Sequence, residues 1–218
     1  MYGFAGGEYR QIGLAEYSWV LMEYLRGVAK DSGRFQPWQV GFPELKRAVM
    51  LPSRYAGVER DAGVVVENQL PGVRLDKLIN GGVAINDVSL QYVGLGALGA
   101  VLRFLGKAHG PETGVLLNRV RWENIKLEFK LGGERGTVWF TDVHDFRSVA
   151  EQETYGMDLK RGLWAQELEG AELGKRLLDW LWFLGTGSDE KLPWAQCRSP
   201  MEAVKLVEGL TTVPVRLQ

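Results

Sequence analysis

Apolar and charged residues alternate strictly from Ile125 to Leu131, and this pattern constrains the fold more than any other segment. A period of two places alternate side chains on opposite faces of a β-strand, so one face should pack on the core and the other should meet solvent. The glycine-rich segment 132–136 and the strand-like segment 137–141 follow, which predicts a hairpin. Val120 and Trp122 alternate with charged residues before it. The sequence therefore predicts a three-stranded antiparallel meander over about 115–143.

Other regions have the apolar spacing of helices. The expected helices cover residues 12–30, 44–50, 88–106, 168–185 and 199–209. Ser199 suits a helix cap, Pro200 the first helical position, and Glu202 completes a capping box. A strand is also expected over Gly63–Glu67. These elements predict an α+β fold, with the meander packed against N-terminal, central and C-terminal helices in a single domain over 1–218, its helical C-terminal lobe starting near residue 160.

Composition excludes several classes of protein. The chain has 26 Lys and Arg against 27 Asp and Glu, so no overall charge favours nucleic acid or an anionic membrane, although a local basic stripe stays open. A single cysteine, Cys197, excludes an intramolecular disulfide framework and a four-cysteine zinc site. The N-terminal residues lack a secretory signal pattern, and the longest uncharged run, Val88–Leu102, is too short for a membrane span. We therefore expect a protein of the bacterial or host cytoplasm, or of a virus particle.

The segment Tyr92–Val101 contains Gly94, Gly96 and Gly99 in the spacing G-x-G-x-x-G. This spacing is typical of dinucleotide-binding sites when a strand precedes it and a helix follows, because the glycines let the backbone approach a pyrophosphate. The expected acidic residue is absent about 20 residues on, where Arg119 would contact a 2′-phosphate instead. The alternative is a single buried helix over 88–106, whose glycines admit a close neighbour. Consecutive strands downstream favour that helix, and no cofactor is expected.

Asp142 and His144 stand two residues apart at the end of a predicted strand, with Asp145 beside them. They resemble the first metal-binding motif of the metallophosphoesterase family, a likeness of four or five residues. The resemblance implies that Asp142 and His144 bind a divalent cation and that these two residues, with Asp145, hydrolyse phosphoesters. That family needs later histidine ligands, and no histidine follows residue 144. A nuclease version would use Glu128 and Lys130 with Glu112 or Glu123, whereas an ordinary turn after a strand explains Asp142 without a metal.

Basic residues near the predicted sheet suggest a different class of function. With Trp122 and Trp139 nearby, they would form an RNA-contacting module that combines phosphate contacts with base stacking. The candidate nucleic-acid-binding residues are Arg119, Arg121, Lys126, Lys130 and Arg135.

Aromatic residues are frequent, with eight Trp, eight Phe and seven Tyr. Such residues are enriched in the cores of protein interfaces and also serve ordinary cores. The leading hypothesis is therefore a non-enzymatic structural or assembly subunit of a multi-protein complex, such as a virus particle, whose partners are other protein subunits or copies of itself. A phosphoester hydrolase or nuclease and an RNA-binding module are the alternatives.

Overall fold

The computed structural model describes residues 7–55, 58–67, 69–79, 90–108, 115–117, 120–142, 146–148, 172–188, 197 and 199–211. Within these ranges the chain has an α+β fold. Its helices are α1 (Gly7–Gly33), α2 (Leu75–Ile79), α3 (Leu90–Ala108), α4 (Glu172–Thr186) and α5 (Pro200–Thr211). Its strands are β1 (Trp38–Gly41), β2 (Leu45–Tyr55), β3 (Val58–Glu67), β4 (Val73–Arg74), β5 (Val115–Leu117), β6 (Ile125–Lys130), β7 (Arg135–Phe140) and β8 (Phe146–Ser148).

The main sheet has four strands in the order β1-β7-β6-β4. The predicted hairpin is present, because β6 and β7 pair antiparallel from Ile125↔Phe140 to Lys130↔Arg135. The three-stranded meander is not confirmed. Residues 122–124 form a 3-10 turn, β5 pairs with β8 instead, and the outer edge of β6 is taken by β4. Alternation predicts the hairpin but not the strands beside it, because β4 and β1 come from distant parts of the chain.

The predicted helix over Glu44–Met50 is wrong. Residues 45–50 belong to β2, which pairs antiparallel with β3 along nearly its whole length. The helix-forming residues of this segment give way to pairing with a neighbouring strand, which shows how tertiary context overrides local propensity. The strand predicted over Gly63–Glu67 is confirmed as the second half of β3.

Helix α3 lies at the centre of the core and contacts α1, α4, α5, β1 and β7. Its residues are buried almost all round, as expected for a helix that is uncharged from its start to Leu102. Near its C-terminal end Phe104 packs against Phe42 and Phe146, and Phe140 packs against the same two rings, with ring centroids 5.1–5.8 Å apart in each contacting pair. The chain therefore builds its core around the segment that carries the glycine motif.

The C-terminal helices α4 and α5 pack on α3. The predicted start of α5 is confirmed, since the backbone N–H of Glu202 donates to Ser199 Oγ at 3.3 Å and Pro200 is the first helical residue. This helix continues two residues beyond Gly209, where the sequence predicted its end. None of the described helices combines the length and hydropathy that a membrane crossing requires.

Candidate functional site

The glycines of the G-x-G-x-x-G segment lie inside α3, which begins at Leu90, so the strand that a dinucleotide site requires is replaced by the first turn of a helix. Gly94 touches the backbone of α4, where an added Cβ would lie 2.6 Å from Gly185 Cα. Gly96 touches the Trp38 indole, and Gly99 lies under the Arg103 guanidinium. Each glycine thus has a protein neighbour that explains it. Arg119, the fourth candidate for the cofactor site, lies outside the described residues.

Gly96 and Gly99 nevertheless line a cleft of about 220 Å³. Helix α3 and helix α5 supply most of its lining, while the start of β1, the loop before it and the turn before β7 supply the rest. The lining residues are Gln36, Pro37, Trp38, Tyr92, Leu95, Gly96, Gly99, Arg103, Glu134, Val207 and Glu208. The cleft therefore joins apolar side chains to one arginine and two carboxylates.

Trp38 is the most buried aromatic residue of the cleft, with 2% of its surface exposed. Its indole fits between Gly96 of α3 and Gly136 of β7, where a Cβ at residue 136 would lie 2.5 Å from the ring. The indole Nε1 donates to the Gly133 carbonyl at 3.0 Å. Two glycines and one hydrogen bond thus fix this ring, so the cleft has a rigid apolar wall.

Arg103 links the three elements around the cleft. Its Nη1 donates to Glu208 Oε1 of α5 and its Nη2 donates to the Trp38 carbonyl of β1, both at 3.2 Å. Its Nε is buried and has no hydrogen-bond acceptor among the described residues. Burial lowers the pKa of Arg103 and the carboxylate of Glu208 opposes that effect. The guanidinium keeps its charge at physiological pH, because the ordinary pKa of arginine lies far above neutrality.

Beside the cleft, residues 33–36 form a turn closed by the Gln36 N–H, which donates to the Gly33 carbonyl at 3.0 Å. Phe35 in this turn has a left-handed φ of 66°, a conformation that usually requires Gly or Asn. Its side chain is 91% exposed, more than any other large apolar side chain among the described residues. The Arg34 guanidinium lies 5.0 Å from the centroid of its ring. The turn therefore presents an aromatic ring and a cation to solvent.

The candidate phosphoesterase residues are only partly described. Asp142 Oδ2 accepts a hydrogen bond from Asn124 Nδ2 at 3.2 Å and lies 3.7 Å from Arg121 Nη2. It thus ties the end of β7 to the turn before β6. His144 and Asp145 lie outside the described residues. No group of three His, Cys, Asp or Glu side chains with metal-binding geometry occurs in the described part of the chain.

Two of the four nuclease candidates, Glu128 and Lys130, contact neighbours on the sheet. Glu128 Oε2 accepts from Trp139 Nε1 at 3.1 Å, and its Oε1 lies 3.4 Å from Lys130 Nζ. Glu123 is exposed in the 3-10 turn, and Glu112 lies outside the described residues.

Three of the basic candidates share the outer face of the main sheet with Trp139, because Lys126 pairs with Trp139 and Lys130 with Arg135. Lys126 Nζ donates to the Leu70 carbonyl at 2.9 Å, and Lys130 lies against Glu128. Arg121 is exposed but close to Asp142. Trp122 lies in the 3-10 turn, and Arg119 is not described. Much of the basic charge on this face therefore has an acidic or carbonyl partner.

Sequence reasoning did not identify Phe35, Trp38 or Arg103 as site residues. No motif marks them, because Trp38 and Arg103 meet only when α3, α5 and β1 pack together, and Phe35 is placed beside them by the turn before β1. No protein-family model matches the chain, and no curated protein is significantly similar to it, so the geometry alone supports a functional proposal.

Proposed function

We propose that this protein is a non-enzymatic assembly subunit that binds other protein subunits through a recognition surface made of Arg34, Phe35 and the cleft beside them. The observation that carries the proposal is Phe35, an aromatic side chain 91% exposed on a left-handed backbone. Aromatic residues and arginine are enriched at protein interfaces, and the few residues that carry most of the binding energy fill pockets and lose their contact with water. The wider hypothesis, a structural subunit of an assembly such as a virus particle, also requires a surface that binds other subunits.

The strain at Phe35 supports this proposal. A left-handed conformation costs a non-glycine residue roughly 1–2 kcal/mol, and such residues cluster at functional sites. The described part of the chain gives the ring little packing in return, because it remains almost fully exposed. Burial against a partner would supply a stabilisation that the free chain lacks.

The size of the cleft supports the same conclusion. Pockets for small-molecule ligands have volumes of about 300–1,000 Å³. The cleft, at about 220 Å³, lies below that range. It fits one side chain of a protein partner better than a cofactor or a nucleotide.

The test is native mass spectrometry of the full-length protein isolated under gentle conditions. We expect it to carry protein subunits in a fixed stoichiometry, and we expect Phe35→Ala to release them. Phe183→Ala is the matched control, since Phe183 on α4 is also an exposed phenylalanine, at 46%. A wild-type protein that stays monomeric without any bound subunit would overturn the proposal, and so would an assembly unaffected by Phe35→Ala.

RNA binding is a second candidate function, because Lys126, Lys130 and Arg135 share one sheet face with Trp139. Fluorescence anisotropy with labelled single-stranded RNA would test it. If the face binds RNA, affinity should fall steeply with salt, and the double variant Lys130→Ala, Arg135→Ala should bind more weakly than Lys107→Ala, which changes an exposed lysine on α3. Undetectable or salt-insensitive binding would remove this candidate.

A further inference from the structure

We infer that the recognition surface binds a second copy of this chain, and that each copy inserts Phe35 into the cleft of the other. The inference rests on the proposed function and names the partner that the proposal leaves open. It follows from three features of the surface. The cleft fits an aromatic ring, the charges beside the Phe35 ring and in the cleft are opposite, and the ring and the cleft lie next to each other in the fold.

The cleft has the size and lining for one phenylalanine side chain. A cavity of about 150 Å³ lined by apolar side chains suffices for a benzene ring. The cleft has about 220 Å³ and includes the apolar surfaces of Trp38, Tyr92, Leu95 and Val207. A ring that enters it would meet two aromatic side chains, and aromatic pairs prefer such edge or offset contacts. Tyr92 is itself 54% exposed, so the cleft leaves aromatic surface uncovered.

The charges are complementary. Arg34 precedes Phe35, while the cleft carries the carboxylates of Glu134 and Glu208. Glu208 already pairs with Arg103. Neither Arg34 nor Glu134 forms an ion pair with another described residue, and both are exposed. When Phe35 enters the cleft of a second copy, Arg34 arrives beside the partner's Glu134, which favours this partner and fixes its orientation.

The ring and the cleft lie next to each other, because Phe35 is followed directly by Gln36 and Pro37 of the cleft lining. A twofold axis near this turn therefore lets two copies exchange their rings at the same time. Such an interface uses the same patch on both chains and closes after two copies, as in the commonest protein oligomers. The structure thus favours a closed dimer over an open chain of copies.

Sedimentation velocity of the full-length protein over a range of concentrations tests the dimer. We expect a reversible monomer–dimer equilibrium whose Kd rises at least about tenfold in Phe35→Ala, because a buried aromatic anchor carries much of the binding energy. Phe183→Ala should leave the Kd unchanged. A dimer that persists in Phe35→Ala would place the interface elsewhere and overturn the inference.

Charge exchange between two variants tests the ion pair. Arg34→Glu should dimerise poorly, since it places two carboxylates together at each contact, and Glu134→Arg should do so because it places two guanidinium groups together. An equimolar mixture should form heterodimers, because both contacts then join opposite charges. Circular dichroism would verify that each variant is folded. If the mixture dimerises no better than the separate variants, the arrangement is wrong.

These experiments separate the inference from the proposed function. A wild-type chain that is monomeric alone, yet binds a different subunit in a manner that depends on Phe35, would refute the self-association and leave the proposed function intact. A chain that binds neither itself nor any other subunit would refute both.

Discussion

The left-handed backbone at Phe35 predicts an unusual order of stability among substitutions. Glycine adopts this conformation freely, whereas alanine keeps the steric cost of a Cβ. We expect Phe35→Gly to be more stable than Phe35→Ala by about 1 kcal/mol, the reverse of the order in an ordinary exposed helix position. Chemical denaturation at a concentration where both variants are monomeric measures the difference. An alanine variant as stable as the glycine variant would show that residue 35 has no left-handed strain.

Cys197 illustrates a residue whose chemistry is suppressed by its position. Burial raises the pKa of its thiol, and the charge of Glu202 raises it further. A raised pKa keeps the group protonated in the folded state, so its contribution to stability is present below the unfolded pKa and is lost as pH rises through the folded value. We expect slow reaction with a thiol reagent at neutral pH, rapid reaction after unfolding, and a faster folded-state reaction in Glu202→Gln. Rapid modification of the native protein at neutral pH would contradict this prediction.

The site residues show what a sequence can reveal at this scale. The sequence predicts Ser199 as a helix cap because the residues that define the cap are its neighbours in the chain, and the structure confirms this prediction. Phe35 gives no such signal, because both its exposure and the sign of its φ depend on how α1 ends and where β1 begins. In the sequence, Arg103 is a charged residue near the end of an apolar helix. Its contacts with Glu208 and the Trp38 carbonyl form only because α5 and β1 pack beside α3.

At the scale of elements, Gly94 lets α3 pack closely against α4. Alanine usually stabilises a helix by about 1 kcal/mol relative to glycine. We expect Gly94→Ala to destabilise the protein instead, by about 1–3 kcal/mol, because the added methyl meets the backbone of Gly185, which cannot rotate away. Thermal and chemical unfolding measure the effect.

The matched control for this variant is Gly27→Ala in α1, where nothing lies within 4 Å of the added Cβ. This change should stabilise the protein by up to about 1 kcal/mol. If both variants shift stability in the same direction, the contact between α3 and α4 is not the reason for Gly94.

Element predictions from the sequence succeeded where the pattern belonged to one segment. The uncharged stretch that contains the glycines could pack only as a buried element, and the predicted helix over 88–106 corresponds to α3, which ends at Ala108. The prediction over 44–50 failed because β2 is defined by its pairing with β3 and not by its own composition. The outer neighbours of the β6–β7 hairpin were not predictable for the same reason, since β4 pairs with β6 and β1 pairs with β7 from more than 40 residues away.

For the whole molecule, the recognition surface is coupled to the core. Trp38 contacts Gly96 and Gly136 in the interior and lines the cleft at the surface, while the carbonyl of the same residue accepts from Arg103. The Trp38 side chain and the ion pair of Arg103 with Glu208 therefore connect the sheet, α3 and the cleft. A substitution in the core near Trp38 should alter the shape of the cleft and should therefore lower both the stability of the fold and the affinity of association. Substitutions at residues 34 and 35 should change the affinity of association and the stability of the fold independently.

The proposed association through this surface would make the stability of the whole molecule depend on its concentration. A dimer stabilises the folded chain because the unfolded chain does not dimerise. Each tenfold rise in protein concentration above the Kd should stabilise each chain by about 0.7 kcal/mol, half of the 1.4 kcal/mol that corresponds to a factor of ten for the dimer. For a chain of 218 residues this raises the Tm by about 1–3 °C. Scanning calorimetry of wild type and Phe183→Ala should show this rise above the wild-type Kd, at concentrations where Phe35→Ala, with its higher Kd, should show a Tm independent of concentration. An equal slope for all three proteins would mean that the surface around Phe35 does not hold the copies together.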